Sequence, residues 1–126
     1  MRASWTHTKA IRIVAIAQAI YFIPTGLWAI FHISSFEAIT GPKVDRWLVK
    51  TVGALVGVVG GVIAMAGVRK RVTPEIVVLG IGSAAALGAI DVVYVAKRRI
   101  SAVYLLDALG EVVLIAAWCN ALRKRR

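Results

Sequence analysis

Four long apolar stretches, each of 22 or 23 residues, take up most of this 126-residue chain, at 11–33, 47–68, 74–96 and 100–122. As an α-helix each is long enough to cross a hydrocarbon core of about 30 Å at about 1.5 Å per residue. Few folds satisfy that constraint. In hydrocarbon a segment must hydrogen-bond its own backbone, so four such stretches cross the bilayer as helices. The connections are short, which makes consecutive helices antiparallel neighbours. The expected architecture is an all-α membrane protein: a single domain over residues 1–126, folded as an antiparallel four-transmembrane-helix bundle with short loops. With 60% of its residues hydrophobic, a soluble globule of this length could not bury its apolar surface.

Local signals mark the boundaries. Thr73-Pro74-Glu75 offers an N-cap, a proline at the first helical position and an acid in the first turn, so the third span starts there. Gly41-Pro42 breaks the chain, and Asp45 is positioned to cap the second span before Trp47. Between them, residues 34–40 are expected to form one short interfacial turn with Phe36 and Ile39 toward lipid. Trp5, Trp28, Trp47 and Trp118 fall near span ends, where interfacial aromatics collect. The first apolar stretch is too long for a signal-peptide core and reads as a retained helix.

Sixteen Lys and Arg face six Asp and Glu, a net charge of +10. The basic residues stand in short clusters between the spans: Arg69-Lys70-Arg71, Lys97-Arg98-Arg99 and Arg123-Lys124-Arg125-Arg126. That arrangement suits headgroup contact and topology determination, and it argues against nucleic acid as a partner. The N-terminus, second connection and C-terminus carry ten basic residues, and the first and third connections, with Lys50, carry six. The bias predicts a plasma (inner) membrane protein with both termini cytoplasmic. Because Lys97-Arg98-Arg99 opposes it, insertion in both orientations stays open. Cys119 is the single cysteine, so neither an intrachain disulfide nor a thiolate metal cluster can form.

Three acids, Asp91, Asp107 and Glu111, lie within the last two spans. A carboxylate in hydrocarbon is costly unless paired, protonated or wet, so intramembrane acids are functional candidates. Counted from the third connection, Asp91 lies about 9 Å deep, Asp107 about 12 Å and Glu111 about 18 Å. Asp107 and Glu111 share a helix face. In the same half stand Gln18, Tyr21, Thr25, Trp28 and His32 of the first span, Lys50 of the second, Tyr94 of the third and Tyr104 of the fourth. The expected site is a shallow cavity in one leaflet, sealed below by apolar packing. Asp91, Asp107 and Glu111 are its catalytic candidates and the other eight residues its ligand-binding candidates. Two carboxyls on one face cannot both ionise cheaply, so one holds a proton, as acid/base chemistry requires.

The structural alternative pairs Asp91 with Lys97 or Arg98, and Asp107 with Lys50 or a tyrosine. No cofactor is indicated. One nearby histidine and three acids on two helices make a poor metal set, and no serine is placed for a Ser-His-acid triad.

Three functional readings follow. In the first, the protein binds or acts on a lipophilic small molecule of isoprenoid, sterol-like or epoxide type. Glu111 or Asp107 would transfer a proton, as in an isomerase, cyclase or hydrolase, and Asp91 would stabilise a developing cation. The second is a proton- or cation-coupled transporter, and the third a non-catalytic scaffold or accessory subunit. Small residues at helical spacing, Gly53, Gly57 and Gly61 or Gly80, Ala84 and Gly88, serve packing within the bundle or a homodimer interface.

Overall fold

The computed structural model describes residues 9–41 and 46–124, and Trp5, Pro42 and the Asp45 cap lie outside them. The helices are α1 (Lys9–Phe31), α2 (Ile33–Thr40), α3 (Arg46–Val68), α4 (Pro74–Ala96) and α5 (Tyr104–Lys124). There is no strand among the described residues. Helices α1, α3 and α4 and residues 104–123 of α5 are each long and apolar enough to cross a membrane. The chain is a polytopic, all-helical membrane protein. Large apolar side chains such as Phe31, Val78 and Leu106 point outward, as a lipid-facing surface requires.

Three boundaries depart from the apolar pattern. Helix α1 stops at Phe31, because His32 leaves helical geometry and caps α2, its Nδ1 accepting the Ser35 N–H at 3.3 Å. Helix α2 makes two turns and lies back on α1, pinned by Trp28 Nε1 donating to Ser35 Oγ at 2.7 Å. Phe36 is therefore not turned to lipid. It is buried edge-on to Trp28, ring centroids 5.1 Å apart, while Ile39 is exposed. Helix α5 begins four residues later than its apolar run, since residues 101–103 form a turn in which the Val103 N–H donates to Ser101 Oγ.

Helices α3 and α4 end in the same way on opposite faces of the bundle. Arg71 N–H donates to Ala66 O and Lys70 N–H to Gly67 O. Twenty-eight residues later Arg99 N–H donates to Tyr94 O and Arg98 N–H to Val95 O. Both are Schellman caps, with Lys70 (φ 57°) and Arg98 (φ 58°) in the left-handed position where glycine is usual. Each basic cluster thus closes a helix and opposes the negative end of its dipole. At its start α4 has the expected cap, Thr73 accepting from the Ile76 N–H.

Packing divides the bundle into two pairs, α1 with α3 and α4 with α5, joined mainly through α1 and α5. The first pair is close because glycines line it at heptad spacing. A Cβ on Gly53 would stand 2.7 Å from the Gly26 carbonyl oxygen, and one on Gly60 would stand 2.9 Å from Phe22 Cβ. Without a hydrophobic force between helices in lipid, such close approach is a main source of association. Gly57 and Gly61 meet nothing within 4 Å. Gly80, Ala84 and Gly88 face inward: Ala84 is fully buried, and Cβ atoms on the glycines would meet Trp118 and Glu111.

The core fills one end only. Ile11, Val14, Ala15, Ile63, Ala66, Val72, Val77, Trp118 and Ala121 cluster beside the second connection. Trp118 is not an interfacial aromatic; it is fully buried, and its Nε1 donates to Gln18 Oε1 at 2.7 Å. Gln18 Nε2 in turn donates to the Gly80 carbonyl at 3.0 Å. This exchange satisfies the indole and amide at no solvent cost and ties α1, α4 and α5 together.

Candidate functional site

Beyond that node, toward the first and third connections, the two helix pairs enclose a cavity of about 700 Å³. Its walls are mostly apolar. Helix α3 supplies Leu48, Val49, Val52 and Val56, α4 supplies Leu87 and Ile90, and α2 supplies Phe36 and Ile39. The charged groups in the lining are the carboxyls of Asp91, Asp107 and Glu111.

Small residues allow the cluster to form. Gly88 lies three residues before Asp91 on α4, and a Cβ there would stand 3.3 Å from Glu111 Cβ. Gly110 opens the facing side of α5 to Tyr21, whose hydroxyl oxygen would lie 3.2 Å from a Cβ at that position. Tyr21 is thereby able to donate its phenol to Asp107 Oδ1. Thr25 Oγ1 donates to the Tyr21 carbonyl at 2.6 Å, one turn from the Pro24 ring that interrupts the α1 ladder.

Asp107 is the hub of the cluster. It takes the Tyr21 hydrogen bond and lines the cavity together with Asp91 and Glu111. It stands in the first turn of α5, nearer the surface than the apolar run implied, because the helix starts at Tyr104. Glu111 follows one turn deeper. Asp91 is 6% exposed and Glu111 2%, and Asp91 Oδ2 and Glu111 Oε1 are buried without a hydrogen-bond partner.

Among the described residues no cation is ion-paired with these acids. The ion pair among the described residues is Arg46 with Glu37, at 2.6 Å, away from the cluster. Lys50 is exposed and outside the cavity lining, and Lys97 Nζ sits 5.6 Å from the centroid of the Tyr94 ring. Neither Asp91 with Lys97 or Arg98 nor Asp107 with Lys50 forms an ion pair among the described residues, whereas the alternative of Asp107 bonded to a tyrosine is met by Tyr21.

Of the ligand-binding candidates, Tyr21, Thr25, Trp28 and Tyr104 line the cavity. Gln18 lies beneath it, committed to Trp118 and Gly80. His32 is exposed and occupied in capping α2, and Tyr94 is outside the lining. The apolar walls were invisible in sequence, because helices that are apolar all round give no periodicity to orient them. Phe36 and Thr40, four apart and both buried, were the one available signal for α2. No group of three or more His, Cys, Asp or Glu is arranged to hold a metal ion among the described residues.

The chain matches no known protein-family model, and no curated protein or solved structure shows significant similarity to it. Its chemistry has to be read from the cavity itself. A carboxyl cluster of this kind offers two things: protons to move between oxygen atoms, and acceptor lone pairs for a donor entering from the apolar side.

Proposed function

We propose that this protein binds a lipophilic small molecule that enters the cavity from the bilayer, and exchanges a proton with it through Asp91, Asp107 and Glu111. One observation carries the reading: buried carboxyls with unpartnered oxygens, ion-paired with no basic residue among the described residues, line a mostly apolar cavity of about 700 Å³. A purely structural cluster would be paired, since burying a charge without a partner costs several kcal/mol. The volume lies in the range of small-molecule sites, and a few polar groups in an otherwise apolar lining is their usual composition. The packed half beneath, with Gln18 and Trp118 at its boundary, supports access from one side and from lipid over passage through the bundle.

In this reading Asp107 relays protons between its two neighbours, Tyr21 holds it in place, and the walls of α3 and α4 seat the apolar body of the ligand. With the termini cytoplasmic, as the charge bias favours, the cavity faces the outer leaflet. The test is native mass spectrometry of the protein released from membrane nanodiscs, comparing wild type with Val56→Trp, which adds bulk to the α3 wall and keeps all three acids. Wild type should retain a small lipophilic molecule and the variant should lose it. An empty wild-type cavity, or equal retention by both, would sink the reading.

A further inference from the structure

The cavity has a charge preference that apolar binding alone does not supply. Asp91, Asp107 and Glu111 come from two helices and line it together, and one oxygen each of Asp91 and Glu111 is buried without a hydrogen-bond partner. The nearest protein donors are already committed, Tyr21 to Asp107 and Thr25 to the Tyr21 carbonyl. Among the described residues the lining holds no hydrogen-bond donor carrying positive charge. An anionic head group would be repelled by every ionised member of the cluster, and an alcohol would supply one donor and no compensation. The rings of Tyr21, Trp28, Phe36 and Tyr104 also line the cavity, and aromatic faces attract cations.

We infer that the ligand's polar end is an amine, held as an ammonium between Asp91, Asp107 and Glu111 with its apolar part against Val52, Val56, Leu87 and Ile90. The inference rests on the lipophilic-ligand reading and specifies its head group. An amine crossing lipid arrives neutral. A carboxylic acid of the cluster gives it a proton: the new N–H bond forms on the nitrogen lone pair as the O–H bond breaks, and that bond's electron pair stays on oxygen. The products are an ammonium and a carboxylate, paired in place with no other reactant. The charge-assisted hydrogen bonds so formed are the strong kind, and the apolar surroundings strengthen them further.

The test uses the full chain in nanodiscs of phosphatidylcholine, with empty nanodiscs as background and three probes of one tail length: dodecylamine, dodecan-1-ol and dodecanoate. Wild type should retain dodecylamine roughly tenfold or more over dodecan-1-ol, as one charge-assisted hydrogen bond allows. Dodecanoate should stay at background. The double variant Asp91→Asn, Glu111→Gln should lose the preference while still retaining the alcohol. Equal retention of amine and alcohol by wild type overturns the ammonium assignment and leaves lipophilic binding standing. No probe above background overturns the assignment and removes support from the lipophilic site as well. A preference that survives in the double variant overturns it too, and the wild-type comparison decides the matter even if that variant does not fold.

Discussion

The two halves of this bundle are made from the same helices and nearly the same residue types, yet one is solid and the other hollow. Beside the second connection, Trp118, Ile11 and Ile63 fill the space between helices completely, and the polar groups there, Gln18 and the Trp118 indole, satisfy each other. Beside the first and third connections the pairs stand apart around the cavity, and the polar groups there, Asp91 and Glu111, keep unpartnered oxygens. Polarity does not separate the halves, because both contain buried polar side chains. Satisfaction separates them. The complete exchange ties the packed half together, and the incomplete one leaves two carboxyl oxygens without partners in the half that holds the cavity.

The largest test of that contrast is Trp118→Ala. It removes a fully buried side chain and strands Gln18, so a loss of about 3–5 kcal/mol is expected in thermal unfolding followed by circular dichroism. If the change is under about 1 kcal/mol, the packed half is not what holds the bundle. Next comes Gly53→Ala, whose Cβ would meet the Gly26 carbonyl oxygen at 2.7 Å, backbone that cannot step aside. It should lose about 1–3 kcal/mol by overpacking, while Gly61→Ala, in open space, leaves the unfolding temperature unmoved. Equal effects at the two glycines would show that the heptad contact between α1 and α3 is not specific.

The hollow half should respond with the opposite sign. Asp91→Asn or Glu111→Gln replaces a carboxyl that has a partnerless oxygen, so stability should hold within about 1 kcal/mol or rise. A loss of the Trp118 size at either acid would mean the cluster is a structural staple after all. The smallest expected effect is a gain. Arg98→Gly relieves a side chain at φ 58° and gives up a helix-end charge, a net increase of about 0.5 kcal/mol. Lower stability would show that the charge outweighs the strain.

Much of this fold was legible because helix length in a bilayer is counted, not inferred. Pro74–Ala96 begins and ends where Thr73-Pro74-Glu75 and the apolar run place it. The pairing of Asp107 with Glu111 on one face followed from their spacing of four. Rotation was not legible. Trp118 read as an interfacial aromatic and Phe36 as lipid-facing, since a uniformly apolar helix gives no sign of which face turns inward. Gln18 is the instructive case. It read as a ligand contact from its depth, and only the indole of Trp118, 100 residues away in sequence, shows that it belongs to the packed half. Asp107 falls in the first turn of α5 because the helix starts at Tyr104, after a turn in which the Val103 N–H donates to Ser101 Oγ.

The matched caps on α3 and α4 bear on how the protein sits in membranes of different thickness. Arg98 and Arg99 anchor one face, and Asp91 lies seven residues back along the same helix, about 10 Å away by helical rise. Asp107 is metered from that face too, in the first turn of α5. Arg69, Lys70 and Arg71 mark the anchor at the far end, beside the packed core. Spacing along the helices therefore fixes the distance of Asp91 and Asp107 from the nearer basic anchor, independent of the distance to the other one.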